Sequence, residues 1–274
     1  STDENFWSFL QRWRFFDALA YCVDDPINLL PEQQHVYLNR DSRYQRATSI
    51  DSHGEATELL TLGRVEIGIL STGRDTAGAV DRQIAEFNEP QTRSSLRTLC
   101  DWSEDEVEDF VQILLPHALR NVTHGRGDYA IVATRLDKKH LHVAVADNGD
   151  GIPSILRTAL GEHLQDPDAQ DSALIQYFAG RELIEDTIRS IVDSDLVVAS
   201  TTERVTSEPG RPGMGLYYLK DRVLAKGGEL RIRSGRAEVD FARPTAPKLR
   251  DKLATSPGTT IRMLLPARGR VPAR

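Results

Sequence analysis

Four groups of residues in this chain have types and spacings suited to chemistry, and they fall in a fixed order. His117 and Asn121 are four apart within a run of helical periodicity, so their side chains leave one helix face together. Asp147-Asn148-Gly149-Asp150-Gly151 directly follows a β-prone run. Gly210-Arg211-Pro212-Gly213-Met214-Gly215-Leu216 stands directly before an amphipathic helix, and Gly258-Thr259-Thr260 opens the last β-prone run. The set suits a nucleotide. A strand that ends in a carboxylate, Asp147, presents an acceptor to the exocyclic amine of adenine. Gly149 and Gly151 let the backbone turn sharply beside base and ribose. A glycine-rich turn at a helix start, with Gly213, Gly215 and Leu216, offers unpaired amides and the positive dipole end to phosphates. Arg211 either steadies the terminal phosphate or is a solvated loop charge. The amide oxygen of Asn121 can complete the octahedral shell of a Mg²⁺ otherwise held by phosphates and water. His117 has the pKa range to accept a proton from water, and His124 either contacts phosphate or caps its helix.

The elements that must position these groups are readable from the pattern. Ser103 and Glu106 form a capping box at a helix start. Val107, Phe110, Val111, Leu114 and Ala118 then recur at helical spacing, Pro116 should bend the helix, and it should end near Gly125. Residues 129–136 and 140–147 read as a hairpin of two strands around Asp137-Lys138-Lys139. A long insert over 154–209 should carry helices of its own, one of them over 171–192. Residues 215–226 read as a helix stopped by Gly227-Gly228. Strands follow over 229–234, 237–241 and 259–265, with a Pro- and Lys/Arg-bearing loop before the last. The order from residue 103 is helix, two strands, insert, helix, three strands. It predicts an α+β sandwich, an antiparallel or mixed sheet with helices gathered on one face.

The first hundred residues give an α/β segment with no legible motif. A helix is expected over 6–21, strands over 35–41 and 64–70, and a helical stretch over 76–100 broken at Pro90. The aromatic cluster Phe6, Trp7, Trp13, Phe15 and Phe16 reads as core. The expected division is thus an accessory segment at 1–102, a main domain at 103–267 and a basic tail at 268–274.

Composition bounds the partners. Hydrophobic residues make up 39% of 274, enough to bury a core. The 34 basic and 41 acidic side chains give a net charge of −7, which argues against bulk nucleic-acid binding through overall charge. Cys22 and Cys100 are too few for a disulfide scaffold and lack metal-ligand spacing. No apolar run approaches the length of a membrane helix, and the start Ser1-Thr2-Asp3-Glu4 is unlike a secretory signal. A cytoplasmic setting is expected.

The four groups resemble the boxes of the GHKL family, the histidine-kinase-like ATPases that include histidine kinases, anti-sigma-factor serine kinases, gyrase B and MutL. Asn121 matches the N-box asparagine, and Asp147, Gly149 and Gly151 match the D-x-G-x-G box. Gly213, Gly215 and Leu216 match the G-x-G-L box, and Thr259 matches the threonine of the last strand. The resemblance spans roughly residues 103–267. It implies a Bergerat-type ATP-binding fold, with Asp147 on the adenine amine, Asn121 on Mg²⁺ and the 154–209 insert as an ATP lid. It further implies a stand-alone regulatory ATPase or protein kinase in signalling, with a regulatory protein partner and dimerisation or recognition through residues 1–102. The chain departs from the family in three places. His117 stands where efficient hydrolases carry a glutamate, the N-box ends early at Asn121-Val122-Thr123-His124-Gly125, and the insert is long for a histidine kinase. The first departure implies slow hydrolysis and leaves open a different class of protein, a non-hydrolysing switch that binds ATP and then a partner.

Overall fold

The computed structural model describes residues 65–71, 76–124, 129–136, 139–169, 171–207, 213–253 and 255–267. The expected helix at 6–21, the strand at 35–41, Arg211 and the 268–274 tail lie outside them. The described chain runs β1 (Val65–Ser71), α1 (Thr76–Phe87), α2 (Pro90–Cys100), α3 (Glu104–Asp109) and a π-turn (Phe110–Leu114). It continues with α4 (Leu115–His124), β2 (Tyr129–Leu136), β3 (His140–Asp147), α5 (Ile152–Gln165), α6 (Ala173–Tyr177), α7 (Glu185–Ser190) and α8 (Asp193–Ser200). It ends with α9 (Gly215–Ala225), β4 (Glu229–Gly235), β5 (Ala237–Ala242), β6 (Lys248–Arg250) and β7 (Ser256–Pro266). No helix among the described residues is long and apolar enough to cross a membrane.

The strands form one seven-stranded sheet in the order β1-β2-β3-β7-β4-β5-β6, and every neighbouring pair is antiparallel. The last strand therefore lies in the middle. Its apolar phase continues across the sheet: Leu141, Val143 and Val145 of β3 stand opposite Leu265, Met263 and Ile261 of β7. Leu230 and Ile232 of β4 stand opposite Met263 and Ile261. These residues join one core with Leu156 and Leu160 of α5, Leu196 and Val197 of α8, and Leu219 and Val223 of α9. The other phase is polar, with Arg231 ion-paired to Asp240 and Arg250 to Glu238. The expected α+β sandwich is thus the architecture, with period 2 in the strands sorting core from solvent.

The helix that carries His117 and Asn121 starts as its sequence says. The Ser103 hydroxyl accepts from the Glu106 amide, and the Glu106 carboxylate accepts from the Ser103 amide. Pro116 has no N–H to give to the turn before it. Just ahead of it the chain widens into the π-turn, where the Leu115 amide reaches back to the Phe110 carbonyl. Val107, Phe110, Val111, Leu114 and Ala118 all stay buried through this adjustment. Further along the chain, the Gly227 and Gly228 amides bond back to the Leu224 and Val223 carbonyls and close α9.

Two parts of the expected division differ from the structure. A boundary between residues 102 and 103 would cut through one continuous core. β1 pairs with β2 along its length, and Val80, Phe87, Leu96 and Cys100 share the core cluster. Trp102 packs its ring 5.6 Å from Phe110 and donates its indole N–H to the Pro266 carbonyl. The insert also departs from expectation. In place of a helix over 171–192 it has the short α6 and α7, because Ser172 caps α6 and the chain leaves the helix at Phe178, two residues before Gly180. Phe178, Ile188, Ile191, Leu196, Val197 and Val205 are buried, so the insert contributes side chains to the core along its length.

Candidate functional site

The antiparallel order brings three strand ends to one place: the C-terminal ends of β3 and β4 and the N-terminal end of β7. Ala146 stands opposite Thr260, and Ser234 opposite Thr259, with a register shift after Ser234. Asp147 leaves β3 there and is buried at 2% exposure. A carboxylate so far from water needs donors. Its Oδ1 accepts from the Gly149 amide at 2.9 Å and from the Thr259 amide at 3.2 Å. Gly258 makes this approach feasible. Its φ is +66°, and a Cβ there would overlap the Asp147 carbonyl. Gly151 heads α5, and the amide of the next residue, Ile152, donates to the Ser234 hydroxyl at 2.9 Å.

Beside this buried cradle lies a cavity of about 360 Å³, within the range of small-molecule sites. One side is polar, from His117, Arg120, Asn121 and His124 on α4. The other is apolar, with Ile152, Ile155 and Leu156 of α5, Val205, Met214 and Leu216. Gly213 and Gly215 complete the rim. At Gly213 φ is +59° and an added Cβ would lie 2.7 Å from the Arg204 backbone, so the turn into α9 needs glycine. α9 begins with no side-chain cap from Met214, a kind of helix start whose first amides can serve a ligand or solvent.

His117 is half-buried. Its ring stacks on Tyr218 of α9 with centroids 6.0 Å apart and planes at 24°. Burial first, and the nearby Arg120 second, hold its pKa below the ordinary value. The neutral imidazole that results can accept a proton. Lys220 ties the insert to α9. Its Nζ donates to the Thr201 carbonyl at the end of α8 and lies over the Tyr217 and Phe241 rings. Burial lowers its pKa as well.

The structure therefore gathers His117, Asn121, Gly213, Gly215 and Leu216 around one cavity. Asp147, Gly149, Gly151 and Thr259 form the adjoining cradle, joined to the cavity through Ile152. Arg211 lies outside the described residues. The sequence reading missed Ser234, which is fully buried and bonded to both glycine-bearing loops. The available signal was a polar residue in the apolar phase of β4, after Leu230 and Ile232. It also missed the apolar wall and Tyr218. No group of three or more His, Cys, Asp or Glu side chains suited to a metal occurs among the described residues. No known family model, curated protein or solved structure matches the chain.

Proposed function

We propose that this chain is a Mg-ATP-binding regulatory protein of the histidine-kinase-like ATPase type, on a Bergerat-type fold. The observation that carries the reading is the shared cavity. Asn121 and His117 from one helix face the start of another, Gly213 to Leu216, and Ile152, which directly follows the Asp147 loop, lines the same cavity. In this reading Asp147 accepts from the adenine amine, the α5 wall covers the base, and the first amides of α9 hold phosphates. Asn121 holds Mg²⁺, which when bound neutralises phosphate charge. The protein acts as an ATPase or protein kinase in signalling, through a regulatory protein partner, and the part of the 1–102 segment that precedes β1 contributes recognition or dimerisation.

Titration calorimetry with ATP and GTP, with and without Mg²⁺, tests this. ATP should bind more tightly than GTP, and Asn121→Ala should weaken Mg-ATP more than metal-free ATP. Equal affinity for the two nucleotides, or no binding, would sink the reading.

One observation favours a second reading, an ATP-dependent switch with little turnover. The position that should orient and deprotonate water holds a neutral imidazole stacked on Tyr218. General-base assistance is worth about 10²–10⁴-fold in rate. Slow wild-type turnover that rises in His117→Glu supports a weak ATPase. Turnover absent in both, with binding intact, supports the switch.

A further inference from the structure

The hydroxyl of Ser234 touches three partners. The Ile152 amide donates to it at 2.9 Å, the Gly258 carbonyl lies at 3.1 Å, and the Thr259 hydroxyl lies at 3.0 Å. A hydroxyl has one proton and two accepting lone pairs. The Gly258 carbonyl can only accept, so it takes the Ser234 proton. The Ile152 amide can only donate, so it occupies one lone pair. The third contact then has one polarity: Thr259 donates its hydroxyl proton to the second lone pair of Ser234. Thr259 is left with acceptor character alone. Its own amide meanwhile donates to Asp147 Oδ1.

We propose that Ser234 is a positioning residue that sets base selectivity, by locking the Thr259 hydroxyl as an inward donor. This rests on the nucleotide reading above. With Ser234 in place, Asp147 and Thr259 side by side offer only acceptors. Set against the 6-position of a purine, they favour the amine of adenine over the carbonyl of guanine or hypoxanthine. Without the Ser234 hydroxyl, Thr259 is free to turn its O–H outward and donate to a carbonyl. Asp147 cannot do this as a carboxylate. Part of the rejection of guanine and hypoxanthine therefore resides in Ser234, a residue that need not touch the base. Packing alone does not explain the hydroxyl, because its phase on β4 is otherwise filled by Leu230 and Ile232, both fully buried.

The test measures Mg-ATP, Mg-GTP and Mg-inosine triphosphate affinities on the full chain, as wild type, Ser234→Ala, Ser234→Thr, Thr259→Val and the Ser234→Ala/Thr259→Val double variant. Ser234→Ala should lower the ATP-to-GTP affinity ratio about tenfold, the size of one hydrogen bond's net contribution, and should tighten GTP and inosine triphosphate. Ser234→Thr, which keeps the hydroxyl, should hold the wild-type ratio. In the Thr259→Val background, Ser234→Ala should change the ratio no further. A purely structural role weakens all three nucleotides by the same factor, and that result overturns the proposal. So does a ratio change that persists undiminished beside Thr259→Val. If Ser234→Ala does not fold, Thr259→Val alone should still lower the ratio, and an unchanged ratio overturns the proposal. A wild-type chain that binds ATP and GTP equally fails the nucleotide reading itself. A selective wild type whose ratio ignores both residues fails only this inference.

Discussion

The cradle around Asp147 and the cavity under α4 and α9 are neighbours built on different principles. In the cradle, Asp147, Ser234 and Thr259 are all buried and come from three adjacent strands; the Thr259 amide donates to Asp147, and the Ser234 hydroxyl bonds the Gly258 carbonyl and the Thr259 hydroxyl. Around the cavity, His117, Asn121 and residues 213–216 come from two helices and a loop, all only half-buried. The sheet holds its hydrogen-bonding groups in place before any ligand arrives. The helices leave uncapped amides and an amide side chain at a surface still open to solvent. One end is thus preorganised, and the other is completed by what binds. In the proposed function, selectivity is stored in the sheet, and affinity for charge is assembled between helices.

Glycine substitutions should break the comparison most sharply. Gly258→Ala combines a left-handed φ with overlap on Asp147, and should cost about 3–5 kcal/mol of stability. Gly215→Ala is the counterpart on the open side. A Cβ there would meet only His117 Nδ1, at an ordinary 3.7 Å. Its stability should change by less than about 0.5 kcal/mol, while nucleotide affinity falls because the phosphate approach is narrowed. Denaturant melts of both variants check the contrast. Equal stability loss would show that the two ends are equally rigid.

Asp147→Asn comes next in size. Asparagine can keep the amide acceptor for Gly149 and Thr259 but loses the charge. ATP affinity should fall by about 1–3 kcal/mol, the scale of a hydrogen bond to a charged group, with GTP affected less. Calorimetry in which ATP affinity is unaffected would remove Asp147 from the base site.

Hydrogen exchange sharpens the comparison within the insert. α5 and α8 pack on β4 and β5 through Leu156, Leu160, Leu196 and Val197. Their amides should be slow to exchange with or without nucleotide, as in β4. Protection gained on adding ATP should concentrate at the cavity rim, at Thr206, Ser207 and the first turn of α9. Exchange of α5 and α8 that responds to ATP would make the whole insert a moving cover.

What was legible follows from how local each signal is. The capping box at Ser103, the hairpin strands around residue 138 and the glycine stop after α9 are short-range patterns, and all three are as read. The sheet with helices on one face followed from the order of helices and strands after residue 103. Three things needed the fold. β7 inserts between β3 and β4, a non-local pairing that no local pattern specifies, and only this makes Ser234 a neighbour of Thr259. The core reaches back to β1 because Trp102 and Phe110 meet across the expected boundary. The lid over 154–209 was implied by the resemblance, and only the fold shows that Phe178, Ile188 and Ile191 of that insert are buried in the core.

The smallest effect concerns His117. Burial and Arg120 hold its folded pKa below the ordinary 6.5. Between those two values the unfolded chain carries more protons than the folded one, so stability rises with pH across that window. The contribution is complete above 6.5 and is lost as pH falls through the folded value. The charges that face the imidazole are Arg120 on its own helix and, from α9, the positive dipole end at Gly215; the stacked Tyr218 is the titratable neighbour. Arg120 and the dipole end both oppose an imidazolium. His117→Gln should therefore flatten the acid limb of a stability profile measured from pH 7 to 5. Phosphates bound beside His117 reverse the sign, because negative charge favours the protonated ring. Wild-type ATP affinity should then gain more than that of His117→Gln as pH falls through 6.5, and the difference between the two profiles cancels the titration of ATP itself. Parallel binding profiles, with the acid limb of stability still flattened, would put His117 in the packing between α4 and α9 and away from the phosphates.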